Sequence, residues 1–361
     1  MNDANELISF IASMSGEGNL RVEENLGEGY VRLRVSEAER RQAKHDIQHV
    51  EDIVIEMLRN ARDAGADKVY LATTKEDGVR TLVFLDNGSG VPQDMQERIF
   101  DARVTSKLES MKMDRWGVHG RGMALFSIKQ NTDEARVVAS DVDLGSVFKV
   151  SVATDRLGER ADQSSWPQAV KDEDGHYVCA RGPHNIIRAA CEFALEELRA
   201  CDVYLGSPSE IAATLHAQAS SRLDASRLLF IDDEAELPVV DRLGLASDAE
   251  DFIRICSGLG LEMSERTAHR ILAGQIKPVR VVTARLLRER DSSSHASAPV
   301  DLAKDRRGLR IAKDDMAQFS RAVERDFNDL ASRYYLNLCG DPKIRVSRDR
   351  ITVTFDLAKE E

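Results

Sequence analysis

Glu56, Asn60 and Asp63, in the run EMLRNARDAGAD, stand at i, i+4 and i+7. On a helix with about 3.6 residues per turn, that spacing puts all three on one face. Buried carboxylates and amides are costly without partners, so such a face points to a hydrated or metal-holding pocket. The Asn60 side-chain oxygen is a hard ligand suited to Mg²⁺. Glu56, one turn earlier, can take a proton from an attacking water. A solvated helix face accounts for the same charges without any ligand.

A second set lies in LVFLDNGSGVP, where a β-branched and aromatic run delivers Asp86 to its C-terminal end, followed by Gly88 and Gly90. Glycines there let a flat ligand approach the backbone. An acceptor-only carboxylate suits the exocyclic amine of adenine and is repelled by the O6 of guanine. A plain DNG turn at a strand end explains the same residues. In WGVHGRGMALFSI, Gly117, Gly120 and Gly122 precede an apolar helix start at Met123. Backbone N–H groups and a helix N-terminus would then converge on an anion such as phosphate. A flexible loop or a helix cap is the plainer account. The long segment before this loop does not match the strand-then-glycine order of Rossmann or Walker sites.

These side chains need elements to hold them. The alternation YVRLRV at 30–35 predicts a strand, and strong helix formers from Ser36 to Ala64 predict one long helix ending at Gly65. KVYLATT and TLVFLDN, separated by the turn-rich KEDG, predict adjacent antiparallel strands. Met123–Lys129 continues as helix, and ARVVAS, GSVFKVSVAT and HNIIRAA alternate like further strands. Beyond about Leu205 the pattern turns helical. A Ser-rich stretch, DSSSHASAP, reads as a flexible linker, followed by a helical run and a hairpin, KIRVSRDRITVTFDL, turning near Arg348–Asp349.

With 361 residues, 42% of them hydrophobic, the chain can bury one or two cores. A net charge of −12 argues against a surface coated in positive charge, so nucleic acid would need a local basic face. Five scattered cysteines with no CxxC spacing fit reduced core thiols. The N-terminus has no basic leader before its apolar residues, and no window approaches the roughly 18 apolar residues of a membrane span. The expected compartment is the cytoplasm, with no membrane partner.

Helix acid and amide, strand aspartate and glycine loop occur in the one order that assembles base, metal, adenine and phosphate contacts. In EMLRNARDAGAD, DNGSGVP and GVHGRG the chain resembles the superfamily of gyrase, Hsp-type chaperones, histidine kinases and MutL (GHKL). The run ARVTSK before WGVHGRGMALFSI looks most like MutL-type mismatch-repair proteins and the B subunit of topoisomerase VI.

The resemblance implies an α+β fold: a Bergerat-type two-layer α/β sandwich, followed by a mostly helical region and a small C-terminal α/β element. The expected divisions are 1–205 for the ATP-binding domain, 206–290 for the helical region, 291–303 for the linker and 304–361 for the C-terminal part. It implies a Mg²⁺-dependent ATPase, with Glu56 as general base, Asn60 as the metal ligand and Asp86 selecting adenine. Gly88 and Gly90 would floor the base pocket, while Asp63 helps shape it. Gly117, Gly120 and Gly122, with the N–H groups of Arg121 and Met123, would bind phosphate. Thr105, Ser106 and Lys107 match the loop before them. The family's Gly-Thr pair is best matched by Gly182–Pro183, with Gly145–Ser146 the second candidate. A lysine reaching the γ-phosphate from the C-terminal half has Lys277 and Lys313 as candidates.

Residues 247–290 read as a possible helix-turn-helix and form the most basic stretch, a candidate DNA contact; a solvated helical bundle reads equally from the charges. ATP closure with homodimerisation, acting on DNA or a protein partner, is one expected function. A non-hydrolysing nucleotide-gated switch is another, and protein-kinase chemistry a more remote third.

Overall fold

The computed structural model describes residues 22–106, 112–114, 116–119, 122–223 and 233–287. It also describes residues 316, 319–320, 322–324, 327–328, 336–338, 342–346 and 351–359. The chain divides into two compact units, Met1–Arg290 and Asp291–Glu361.

The first unit begins with β1 (Val22–Gly27), β2 (Tyr30–Leu33), α1 (Glu37–Asp46), α2 (Val50–Asp63), β3 (Lys68–Glu76) and β4 (Val79–Asp86). Next come β5 (Val104–Thr105), β6 (Lys112–Asp114), β7 (Gly117–His119), α3 (Ala124–Asn131), β8 (Glu134–Ser140) and β9 (Ser146–Ala153). It closes with β10 (Gln168–Lys171), β11 (Tyr177–Arg181), α4 (Ile186–Glu196), β12 (Asp202–Gly206), α5 (Pro208–Arg222), α6 (Ala249–Gly258) and α7 (Glu265–Leu272).

The main sheet has the order β12-β3-β4-β9-β8, with β12 parallel to β3 and the other pairs antiparallel. Strand side chains alternate between two cores. Val69, Leu71, Leu82, Phe84 and Val150 join the core of α2 and α4, whereas Tyr70, Ala72, Val83, Leu85 and Tyr204 join that of α5, α6 and α7. The near-continuous apolar runs of β3 and β4 suit a sheet covered on both faces. The α+β class stands, and to the expected two layers the chain adds a third, drawn from residues 208–271. Of the expected helical region, residues 208–222 and 233–287 carry side chains that pack on the same sheet as the preceding segment, and the divide between compact units falls at 290/291.

Two expected elements differ. The single helix over 36–64 is broken: Ile47 and His49 are extended, and the Asp52 carboxylate accepts from the N–H of Gln48 (3.0 Å) and His49 (2.9 Å), starting α2 afresh. HNIIRAA is helix rather than strand. Asn185 caps α4, its side-chain oxygen accepting from the Arg188 N–H at 2.8 Å.

In the second unit, β13 (Leu336–Leu338) pairs antiparallel with β16 (Leu357–Lys359), and β14 (Lys343–Val346) with β15 (Ile351–Thr354). The expected linker at 291–303 lies outside the described residues. Among the described residues no helix is long and apolar enough to cross a membrane, and Cys179, Cys191, Cys201 and Cys256 are buried.

Candidate functional site

A cavity of about 590 Å³ lies between α1, α2, α3 and the ends of β4 and β9. Helix α2 buries Ile53, Val54 and Leu58 in the core and turns Glu56, Asn60 and Asp63 to the cavity. Strand β4 ends there with Asp86, only 4% exposed, whose Oδ1 accepts from the Gly88 N–H at 2.8 Å. Opposite Asp86 in the ladder stands Ser146 of β9, which also lines the cavity.

The wall beside Asp86 is backbone, and its closeness demands glycine. A Cβ on Gly90 (φ 72°) would lie 1.8 Å from the Asp141 carbonyl oxygen, and one on Gly145 (φ 76°) 2.2 Å from that of Asp86. Ser140 ties the two turns together, its Oγ accepting from the Val91 N–H and donating to the Gly145 carbonyl, both at 2.8 Å. On the far side Gly122 and Met123 line the cavity just before α3 begins.

Thus Glu56, Asn60, Asp63, Asp86, Gly90, Gly122 and Met123 share one cavity, as do Thr105 and Ser106. Gly88 does not line it: it packs behind Asp86, where a Cβ would meet the Ala64 carbonyl oxygen at 2.8 Å. Gly117 opens β7. Lys107, Gly120, Arg121 and Lys313 lie outside the described residues. The preferred Gly-Thr equivalent is corrected. Gly182 packs against Pro167 after β11, away from the lining, whereas Gly145–Ser146 sits beside Asp86. Lys277 is exposed and does not line the cavity.

Beneath the polar face of α2 runs an ion-pair network that the sequence did not reveal. Arg59 donates from Nη1 to Glu56 (2.7 Å) and from Nε to Asp114 of β6 (2.9 Å). Arg62 donates to Asp63 (2.9 Å), Asp114 (3.1 Å) and Glu197 (3.1 Å). Burial raises the Asp114 carboxyl, but the Arg59 charge, the Trp116 N–H and Arg62 outweigh it and hold the group below its ordinary value. Burial likewise works against the Arg62 charge, and Asp63 with Glu197 and Asp114 more than restores it.

The opposite wall was also missed. Glu39 of α1 and Arg103 both line the cavity and form an ion pair. The pattern S-x-x-E at Ser36–Glu39 was a readable capping box, and the structure forms it. Burial works to raise the Glu39 carboxyl, but bonds from Ser36 and Arg103 carry it below its ordinary value.

The sequence of this region has counterparts in known proteins. Residues 47–140 match the family model described as histidine kinase-, DNA gyrase B- and HSP90-like ATPase. The DNA mismatch repair protein MutL of Staphylococcus aureus, in strains Newman and JH1, is 28% identical over 136 residues. That alignment takes in 35% of this chain and 20% of the relative. Over residues 47–140 the chain is similar to GHKL-type ATPase domains. Helix α2, the β4 end with Asp86 and the Gly122–α3 junction all fall within the matched segment. The chain spans about a fifth of the length of the curated MutL relatives it matches.

Proposed function

We propose that the chain binds ATP with Mg²⁺ in this cavity and hydrolyses it slowly, using the binding energy to change shape. The carrying observation is that Glu56, Asn60, Asp63 and Asp86 share one cavity with Gly90 and Gly122. Its size suits a nucleotide, its floor is backbone where no Cβ fits, and its polar donors are the hard oxygens that Mg²⁺ prefers. In this reading the Asp86 carboxylate accepts from the adenine amine and Ser146 supports that end. The Asn60 oxygen holds Mg²⁺, which when bound neutralises phosphate charge. Gly122 and Met123, with Gly117, Gly120, Arg121 and Lys107, hold the phosphates, and Glu56 accepts the proton of the attacking water.

One observation favours a second reading, a nucleotide-gated switch that hydrolyses little. Glu56 Oε1 accepts from Arg59 at 2.7 Å, an ion pair that gives the carboxylate a place in shaping the pocket apart from any role as base. Glu56→Ala separates the two. Loss of turnover with ATP affinity kept supports the base assignment, and unchanged turnover removes it.

For the wider function we infer closure of the glycine loop on ATP with homodimerisation, acting in the cytoplasm on DNA or a protein partner. Similarity to MutL supports this line. DNA would be met through 247–290, where Arg266, Arg270, Lys277 and Arg280 are exposed, while Arg285 instead stacks on Trp166 at 3.9 Å. Sedimentation with and without a non-hydrolysable ATP analogue tests dimerisation; one unchanged monomer peak argues against it. DNA retention that does not weaken with added salt argues against the basic stretch.

A further inference from the structure

Arg103 lines the cavity, yet the assignments above give it no task. Its side chain is 5% exposed, and its backbone sits at φ 63°. Among the described residues the other non-glycine positions with positive φ are Glu28, Asp77, Asp143 and Arg199, and all four are exposed. A residue with a Cβ adopts this backbone only where its surroundings impose it, and such positions gather at ligand sites. Here the Arg103 N–H donates to the Gly122 carbonyl (2.8 Å) and its own carbonyl accepts from the Leu33 N–H (3.0 Å). The strained turn is thereby locked to the glycine that opens the proposed phosphate wall.

The guanidinium is only partly used. Nη2 is paired with Glu39, while Nε is buried with no hydrogen-bond partner. Leaving a buried donor unmade is unfavourable. Glu39 is itself shared, since its other oxygen accepts from the Ser36 N–H (2.8 Å) and Oγ (3.0 Å). An arginine fork with an idle donor, beside Gly122 and Met123 in one cavity, has the chemistry of a phosphate contact.

We propose that Arg103 binds the polyphosphate of the nucleotide in competition with Glu39, so that occupancy of the cavity loosens Arg103 from α1. The proposal rests on the nucleotide reading of the cavity. A structural arginine that merely pins α1 to the turn would leave phosphate binding untouched, and titration calorimetry on the full chain separates the two. ATP and adenosine are each titrated into wild type, Arg103→Met, Glu39→Gln and Asp86→Asn.

The expected result is an ATP affinity about 10–100-fold weaker in Arg103→Met, with adenosine changed less than about twofold. Glu39→Gln, which removes the competing charge, should bind ATP about 3–10-fold more tightly. ATP affinity within about twofold of wild type in both variants overturns the proposal. Should Asp86→Asn lose ATP and adenosine alike in that case, the nucleotide site survives and only the role of Arg103 falls. If Arg103→Met fails to fold, Glu39→Gln decides alone: tighter ATP supports the proposal and unchanged ATP overturns it. A wild-type chain that binds neither compound removes both the site and the proposal.

Discussion

Replacing Asp114 by asparagine tests how strand β6 is held against helix α2. The carboxylate is 6% exposed and receives Arg59 Nε (2.9 Å), Arg62 Nη1 (3.1 Å) and the Trp116 N–H (3.0 Å). Both guanidiniums donate to Oδ2 and Trp116 to Oδ1, so an asparagine that keeps its oxygen for Trp116 turns its amide N–H₂ toward both guanidinium groups, setting donor against donor. Breaking a buried ion pair costs about 3–5 kcal/mol when the remaining charge has no other partner. Here Arg59 keeps Glu56 and Arg62 keeps Asp63 and Glu197, so about 2–3 kcal/mol is expected, at or just below the lower end of that range.

In a domain of this size that corresponds to a drop in Tm of roughly 3–5 °C. The pH dependence has a definite sign. Arg59, the Trp116 N–H and Arg62, against burial, depress the folded-state value of Asp114. Its contribution is therefore present above the ordinary carboxyl range near about pH 3.9 and is lost as pH falls through the lower folded value. Urea midpoints of wild type and Asp114→Asn should differ by a constant amount near neutrality and converge below about pH 4. A difference under about 0.5 kcal/mol at neutral pH, or one that widens on acidification, refutes the reasoning.

Other changes test other parts of the site. Gly90→Ala places a methyl 1.8 Å from the Asp141 carbonyl oxygen at φ 72°. It should destabilise the fold by more than about 3 kcal/mol or abolish ATP binding, read by thermal melting and calorimetry. Ser140→Ala removes the acceptor for the Val91 N–H and the donor to the Gly145 carbonyl. It should cost about 1–3 kcal/mol by urea denaturation, and a neutral result means the two turns are held by other contacts. Asp86→Asn cannot satisfy both the Gly88 N–H and an adenine amine as the carboxylate does; ATP affinity should fall about 10–100-fold, and a preserved affinity places adenine elsewhere.

The parts of the site legible in the sequence were those set by local spacing. Glu56, Asn60 and Asp63 needed only a helical repeat, and Asp86 only a strand that ends. The break at Ile47–His49 carried no glycine or proline. It comes from Asp52 reaching back to the N–H groups of Gln48 and His49, a side-chain choice that helix propensity does not register. The alternation in HNIIRAA misled, although Asn185 stood where a helix cap belongs. Pairs such as Arg59–Asp114 and Glu39–Arg103 bring together residues far apart in the chain, and no local pattern signals them. The third layer did leave a trace: KVYLATT and TLVFLDN are too evenly apolar for strands with a wet face.

That double covering has a practical side. The chain enters the third layer from β12, and after α7 it returns to the sheet, with Val281 bridging Tyr204 and with Val282 and Leu286 joining the core of α2. A chain cut after Leu205, at the expected domain boundary, would strip the cover from Tyr70, Val83, Leu85 and Val147. It would offer water a broad oily plane, so such a fragment should clump when made alone, whereas one running through residue 290 should stay in solution.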